Sequence, residues 1–430
     1  MTSLILFGVF ACLLLINLPI AFAIIFATLI TMLLTIDTLP ALITIAQRLA
    51  VGIDSFSLLA IPFFILAGYL MGQGGIAVRL INFAKVLVGR LPGGLALVNV
   101  ISCALFGSIS GSAVAATSAI GGFMVPAMEK EGYSRSFSTA VTVTSATTGL
   151  LIPPSNVLIV YSLASGGVSI AALFVAGYLP GLLVTLLLIL ASALCFRRYR
   201  IAPTSMEIVE PFWSSLFGAV PSLFLIILII GGIIGGYFTP TEAGVIAVLY
   251  ALALSLLVYK EIKTDDLHAI LVKSVVTTSI VMLLIGASSA MSWLMSYEGM
   301  PQAISQVLLG LSENPLIILL LINLTLLLVG TFMDMTPAVL IFTPIFLPVA
   351  ELLGISPLHF GIIMILNLSI GLCTPPVGSV LFVGCSIGKV NITEIVRPIL
   401  PLYAAMLVAL FLITTFPSIS EILPRYFGLI

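Results

Sequence analysis

Charged residues are the scarcest class in this sequence, at 7% of its 430 residues, whereas hydrophobic residues make up 61%. A soluble chain carries about 25% charged residues, so this composition excludes a soluble globular protein. The net charge of −1 argues against a nucleic-acid partner. At ~20 apolar residues per crossing plus short loops, the length allows roughly ten to twelve membrane crossings. We therefore predict an all-α polytopic membrane protein.

Clusters of metal ligands and catalytic groups are also missing. The five cysteines lie singly in apolar segments, and neither His268 nor His359 has a Cys, His or carboxylate at metal spacing. No nucleophile, base and acid occur together, so we predict neither enzyme activity nor a cofactor. The N-terminus enters an apolar run without a positive n-region or a cleavage pattern, which favours a retained span over a signal peptide.

What the chain does contain is a polar, glycine-rich segment that occurs twice in the apolar background, at residues 106–113 and 329–337. Each segment is followed by a pair of prolines, which begins at Pro153 in the first half and at Pro375 in the second. The halves are offset by 223 residues at the leading glycines (107 and 330) and by 222 at these prolines. The chain therefore contains an internal repeat.

The repeated unit has the pattern of a re-entrant hairpin followed by a broken helix. Residues 94–128 are too short for two full spans, yet both flanks are polar, and residues 316–350 repeat the pattern. Non-helical backbone at that depth is tolerated only where it is buried in protein or lines a wet cavity. Each proline pair interrupts the helix that follows its hairpin, at 136–163 and 357–387.

Flanking charge predicts that the two repeats have opposite orientations. Lysines and arginines between positions 85 and 135 flank the first hairpin, whereas Glu313 and Glu351 flank the second without a nearby base. By the positive-inside rule the first hairpin opens to the cytoplasm, the second opens outward, and both termini lie outside. Inverted repeats with broken helices at the midplane are the construction of secondary transporters. Two occluding hairpins would also block the continuous pore of a passive channel.

The broken helices predict ion-binding sites. A break leaves unpaired carbonyls, which coordinate Na⁺, and unpaired amides, which favour anions. In the first half the candidate site is the tip from Gly107 to Ser112 set against Pro153 to Asn156, because alkali cations need hydroxyl and carbonyl oxygens. In the second half Asp334 is the only carboxylate within a hairpin tip, and an ionisable group at that depth is a functional candidate.

Three structural alternatives stay open at this point. Serine and glycine also allow close helix packing without binding anything. Asp334 could cap a half-helix, and the Thr-Pro-Thr-Glu pattern that ends at Glu242 is typical of a capping acid at a helix start. Asn156 has no equivalent in the second half, where the aligned residue is Gly378, so the two sites need not be chemically identical.

At these residues the sequence resembles the large membrane (M) subunit of tripartite ATP-independent periplasmic (TRAP) transporters. The resemblance runs over nearly the whole chain, and its motifs are specific when taken together. The matching stretches are residues 107–117, 132–133, 152–155, 239–243, 330–334, 359–361 and 374–378.

The resemblance implies an elevator-type architecture of the ion-transporter superfamily in a bacterial inner membrane, driven by a Na⁺ gradient. The substrate would be an organic acid, such as sialic acid or a C4-dicarboxylate, delivered by a soluble periplasmic binding protein. A small four-helix membrane subunit would be a separate polypeptide that braces the scaffold. No cofactor is implied beyond Na⁺ as the coupling ion. The alternative is a stand-alone Na⁺-coupled anion carrier that works without a binding protein.

The resemblance also implies a division of the chain and a set of site residues. The parts are 1–93 (scaffold spans and arm helix), 94–165 (first transport half), 166–315 (scaffold spans, linker and second arm), 316–390 (second transport half) and 391–430 (final span and C-terminus). The implied cation-binding residues are Gly107, Ser108, Ser110, Ser112, Pro154, Asn156, Gly330, Thr331, Asp334, Thr374, Pro376 and Gly378. The implied substrate-facing residues are Ser110, Gly111, Ser155, Thr336 and Pro337.

Overall fold

The computed structural model describes residues 2–91, 93–199, 211–312, 314–375 and 378–430, which form a succession of α-helices. The predicted site residue Pro376, the predicted flanking acid Glu313 and most of the polar linker predicted at 201–212 lie outside these ranges. The helices of the first half are α1 (Thr2–Leu15), α2 (Ile20–Thr35), α3 (Thr38–Gly52), α4 (Ala60–Gln73), α5 (Ile76–Val88), α6 (Gly94–Ser110), α7 (Ala113–Lys130), α8 (Arg135–Ala146), α9 (Asn156–Ala164) and α10 (Ile170–Tyr199). Those of the second half are α11 (Phe212–Ile234), α12 (Pro240–Ala253), α13 (Thr264–Tyr297), α14 (Met300–Leu311), α15 (Pro315–Phe332), α16 (Met335–Leu352), α17 (Pro357–Leu372), α18 (Ser379–Gly388), α19 (Ile392–Thr415) and α20 (Ser418–Tyr426).

The second half repeats the hairpin and the broken helix of the first. Helices α7 and α16 are both 18 residues long and begin 222 positions apart, at Ala113 and Met335. Each hairpin turns through two residues, Gly111-Ser112 between α6 and α7 and Met333-Asp334 between α15 and α16. Each proline pair separates a longer helix, α8 or α17, from a short one, α9 or α18.

The two halves exchange packing partners. In each half the first arm of the hairpin packs against the long segment of its own broken helix, α6 on α8 and α15 on α17. The second arm packs against the short segment of the opposite half, α7 on α18 and α16 on α9. This reciprocal arrangement relates the halves by a pseudo-two-fold axis. The predicted fold class is confirmed: an all-α chain with two inverted repeats, each with a hairpin and a Pro-Pro-broken helix.

The remaining helices surround this centre. Helices α2 and α3 pack on α13, α4 packs on α12, and α11 packs on α5. Helix α10 contacts α6, α17 and α19 and so joins the two halves. Among the described residues, eight helices are long and apolar enough to cross a membrane. Their outward faces carry large apolar side chains, as expected for surfaces in contact with lipid.

The N-terminal apolar run, which the sequence allows to be either two short spans or one long kinked span, forms two helices. Helix α1 ends at Leu15 and α2 begins at Ile20, with Asn17 in the left-handed region at φ +66°. Pro19, which precedes α2, has no amide to continue the first helix and has the fixed φ that suits a helix start.

The predicted cap at Thr239 is present at the start of α12. The Thr239 hydroxyl accepts from the Glu242 amide, and the Glu242 carboxylate accepts from the Thr239 amide.

Two features differ from the sequence-based expectation. In the sequence, the charges of Lys260–Lys273 predict an interfacial stretch separate from a span at 276–297, but one continuous helix of 34 residues runs from Thr264 to Tyr297. Neither Gly nor Pro occurs between Thr264 and Ile285 to interrupt it, and Asp265 and Asp266 stabilise its N-terminus through the helix dipole.

The second difference is the short helix α20, which follows the last span and was not predicted. Its Glu421 carboxylate bonds to the Ser356 hydroxyl and, at 2.8 Å, to Arg425. Its Ser420 hydroxyl lies 2.7 Å from His359 Nδ1. These contacts attach the C-terminus to the start of α17. Nine residues without an apolar run gave no sequence signal for a packed helix.

Candidate transport site

A backbone-to-backbone glycine contact brings the hairpin and the broken helix together in each half. A Cβ placed on Gly107 of α6 would lie only 2.5 Å from the Cα of Gly149, in the 3-10 turn that follows α8. In the second half, a Cβ on Gly371 of α17 would lie 2.5 Å from the Cα of Gly330 on α15. Because no side chain fits at either contact, the two backbones approach as closely as possible beside each helix break.

The first hairpin tip closes directly over the first break. Gly111 ends α6 in the left-handed conformation at φ +60°, and a Cβ on it would meet the Pro154 carbonyl oxygen at 2.9 Å. The Ser110 and Ser155 hydroxyls and the Asn156 Oδ1 are buried here without a hydrogen-bond partner among the described residues. Buried unpaired oxygens cost free energy, so a site that keeps three of them is suited to a ligand.

The prolines add main-chain oxygens to this site. In an uninterrupted helix the carbonyls of Gly149 and Leu150 would accept hydrogen bonds from the amides of residues 153 and 154. Those residues are prolines and have no amide hydrogen. The break therefore exposes carbonyl oxygens next to unpaired hydroxyls, a set of ligands that suits a hard cation.

Two predicted hydroxyls occupy equivalent positions and make the same hydrogen bond. Ser108 donates to the Leu105 carbonyl at 2.7 Å, and Thr331, 223 positions later, donates to the Leu328 carbonyl at 2.6 Å. Each donated bond fixes the hydroxyl and leaves its oxygen lone pairs free to face a cation. Ser112 instead caps α7, where its Oγ accepts from the Ala115 amide at 3.3 Å.

Asp334 is the second-half equivalent of Ser112 and precedes α16 as Ser112 precedes α7. It cannot cap in the same way, because the residue equivalent to Ala115 is the buried Pro337, which has no amide hydrogen. The exposed carboxylate of Asp334 instead accepts from the Ser379 hydroxyl at 3.4 Å, at the start of α18. The negative charge therefore lies between the second hairpin tip and the second helix break, with the half-buried Thr336 beside it.

The remaining predicted residues of the second half lie at its break. The Thr374 hydroxyl donates to the Ile370 carbonyl at 2.7 Å and lies 3.2 Å from the Tyr403 hydroxyl of α19. Gly378 precedes α18 and donates its amide to the Thr374 carbonyl at 3.2 Å. The structure thus places the described members of each predicted set around the break of their own half.

The sequence prediction omitted two side chains that the repeat relates to each other. Ser145 and Asn367 lie 222 positions apart, each one helical turn before the contact glycine of its half. Ser145 Oγ and Asn367 Oδ1 are buried without a partner among the described residues. The Asn367 amide donates to the Asn323 carbonyl and side-chain oxygens, each at 2.9 Å, and so joins α17 to α15. A polar residue four positions before a glycine in both broken helices was the available signal.

The charge at the site is limited to one acid. Neither tip segment, 106–113 or 329–337, contains Lys or Arg. Among the described residues no three His, Cys, Asp or Glu side chains come close enough to hold a metal ion. What the arrangement offers is oxygen ligands at two breaks and helix N-termini at α7, α9, α16 and α18, whose amides favour an anion.

Comparison with known proteins identifies the family. Residues 7–419 match the family model described as "Tripartite ATP-independent periplasmic transporter, DctM component". The chain belongs to this DctM family. It is accordingly a transport permease and not an enzyme. It is a multi-pass protein of the bacterial inner membrane and belongs to a family whose transporters have three components.

Several curated relatives align along nearly the full chain. An uncharacterized protein, YgiK of Salmonella typhimurium, is 56% identical over 99% of this chain and 97% of its own length. The C4-dicarboxylate TRAP transporter large permease protein DctM of Rhodobacter capsulatus is 38% identical over all of both chains. The sialic acid TRAP transporter large permease protein SiaM of Vibrio cholerae is 39% identical over 96% of each chain.

A solved structure with little sequence similarity has the same fold. The YdaH transporter of Alcanivorax borkumensis superposes with a TM-score of 0.65 over 89% of each chain, at 16% identity. The fold of this DctM-family chain is therefore shared with a transporter of very different sequence.

Proposed function

We propose that this chain is the transport subunit of a Na⁺-driven importer of organic acid anions, with substrate delivered by a periplasmic binding protein. The observation that carries the proposal is the pair of glycine contacts, each of which sets a hairpin against a helix break. Four buried side-chain oxygens without partners in the described part of the chain lie at the first contact, from Ser110, Ser145, Ser155 and Asn156, and one lies at the second, from Asn367. Carbonyl and hydroxyl oxygens at two such breaks supply the ligands of an alkali cation.

The proposed movement is an elevator step. The two transport halves, 94–165 and 316–390, move as one unit against a scaffold formed by 1–93, 166–315 and 391–430. The exchange of partners between α7 and α18 and between α16 and α9 supports this division, since it ties the two hairpins to each other. An inverted pair of halves can adopt two mirror-related states, one open to each side of the membrane.

The proposed substrate is an organic acid of the sialic acid or C4-dicarboxylate type, because two relatives are permeases for those compounds. Neither tip contains a base to bind the carboxylate. The substrate carboxylate is instead bound by the amides at the half-helix N-termini, by the hydroxyls of Ser110 and Ser155, and by the bound Na⁺. Binding without a fixed positive charge is weak enough for release, as a carrier requires.

The proposed partners complete the transporter. A small four-helix membrane subunit braces the scaffold and a soluble binding protein brings the anion to the outer face, which is consistent with the tripartite description of the family. The second candidate, a stand-alone Na⁺-coupled anion carrier, shares the fold and the ion sites. The two differ in whether uptake requires the binding protein.

The Na⁺ sites are tested through Ser110 and Asn156. Replacement of either residue by Ala removes one of the unpartnered oxygens. The Na⁺ concentration for half-maximal uptake should then rise about fivefold, because the loss of about 1 kcal/mol of polar interaction lowers affinity by that factor. Expression and maximal uptake should change less.

Ser136→Ala is the control, because it removes a hydroxyl at the start of α8 whose only hydrogen bond in the described residues is exposed to solvent. That bond joins Ser136 Oγ to Ser134 Oγ at 3.4 Å. A Na⁺ titration that is unchanged in both site variants would remove Ser110 and Asn156 from the cation site.

A further inference from the structure

A groove with a volume of ≈ 540 Å³ lies between the arm helix α14 and the end of the second hairpin, where α14 packs on α16. Its walls include Gln302, Ser305 and Gln306 of α14 and Pro348 and Glu351 of α16. Helix α14 belongs to the proposed scaffold and α16 to the proposed moving unit. The groove therefore lies across the boundary at which the two would slide.

The groove contains an acid whose first-half counterpart is neutralised. Glu129, 222 positions before Glu351, forms an ion pair with Arg135 at 2.7 Å. The residue equivalent to Arg135 is Pro357, and Glu351 forms no ion pair with any residue that the structure describes. Glu351 is exposed, so its carboxylate is available to a partner from outside the chain.

The two arm helices differ in charge as well: the first carries a paired arginine, and the second carries uncharged polar residues. In the first arm, Arg79 lies 3.7 Å from Glu261 and 3.7 Å from the ring centroid of Tyr259. Aligned from the helix starts at Ile76 and Met300, the second arm has Ala303 where the first has Arg79. The polar residues that the second arm exposes nearby are Gln302 and, one turn later, Gln306. The groove thus combines one unpaired carboxylate with two amide side chains, a set that can accept the hydrogen bonds of a cationic side chain.

We propose that this groove receives a Lys or Arg side chain of the periplasmic binding protein, an inference that rests on the proposed function. The positive-inside rule places this end of the second hairpin outside, where the soluble partner arrives. A basic side chain seated against both walls holds α16 beside α14. Movement of the hairpin along the arm separates the walls, so the partner is released as the transport step begins.

The test is uptake by proteoliposomes that contain this chain and its small subunit, with the binding protein titrated against each variant. Glu351→Gln removes the charge, and Gln306→Lys adds a repelling one. Both should raise the binding-protein concentration for half-maximal uptake, by roughly two- to five-fold for the first, as loss of an exposed ion pair predicts. Maximal uptake at saturating binding protein should be unchanged, and the salt dependence of that concentration should weaken in Glu351→Gln.

Glu129→Gln is the matched control, because it removes the equivalent acid from the opposite end and should leave the titration unchanged. If the parent requires the binding protein but both groove variants titrate as the parent does, the docking surface is wrong and the proposed function stands. If the parent takes up substrate equally well without any binding protein, the tripartite function is wrong and the docking surface falls with it.

Discussion

Asp334→Asn should raise the Na⁺ concentration needed for half-maximal uptake by at least about tenfold. The substitution keeps the size and polarity of the side chain. It removes the negative charge of Asp334, which is the only charge in the two hairpin tips. A unit charge about 4 Å from a cation contributes up to about 4 kcal/mol near a protein surface, whereas 1.4 kcal/mol already corresponds to tenfold in affinity. The measurement is a Na⁺ titration of uptake in proteoliposomes.

Asp334→Ser separates a role in cation binding from a role in helix structure. Serine is the residue that the first half uses at the equivalent position, where Ser112 precedes α7. The variant should therefore fold and insert normally and still lose Na⁺ affinity as Asp334→Asn does. If both variants retain the parent's Na⁺ dependence and uptake, Asp334 has no role in coupling and only shapes the start of α16.

Gly371→Ala should abolish most transport by separating the second hairpin from its broken helix. The new Cβ would lie 2.5 Å from the Cα of Gly330, so one backbone must shift. Overpacking of this kind costs about 1–3 kcal/mol, and a displacement of about 1 Å at a site can reduce its activity roughly a hundredfold. Most uptake should therefore be lost, whereas the unfolding temperature in detergent should change little.

Gly107→Ala tests the same contact in the first half, where the added Cβ would lie 2.5 Å from the Cα of Gly149. Gly122→Ala is the control on α7, because no atom lies within 4 Å of its added Cβ. Parent-like uptake in both contact variants would show that the close approach of the backbones is dispensable. Equal loss in the control would show only that α-helical glycines are sensitive here.

The architecture was predictable because the repeat consists of glycines and prolines, which constrain the backbone conformation directly. Gly107 and Gly330 mark the hairpins, and the proline pairs that begin at Pro153 and Pro375 mark the breaks. The course of α13 was less accessible, since charges near Lys273 suggested an interface but do not interrupt a helix. Helix α20 escaped prediction because its attachment depends on partners distant in sequence, such as Ser356 for Glu421.

The candidate site was predictable only as a region. Clustered serines indicated the first tip, but sequence could not separate Ser110, which lacks a partner, from Ser112, which caps α7. That distinction depends on the rotation of each side chain about its helix. Gly149, Ser145 and Asn367 were missed because their positions look ordinary in the sequence until the backbone of the opposing hairpin is placed against them.

The central claim is tested most directly by uptake of labelled sialic acid and C4-dicarboxylates into proteoliposomes that contain this chain and its small subunit. Four conditions are compared, with and without the binding protein and with and without an inward Na⁺ gradient. The account predicts uptake only when both are present, for a substrate of one of these classes. Uptake by the membrane subunits alone, or uptake that is indifferent to the Na⁺ gradient, would contradict it.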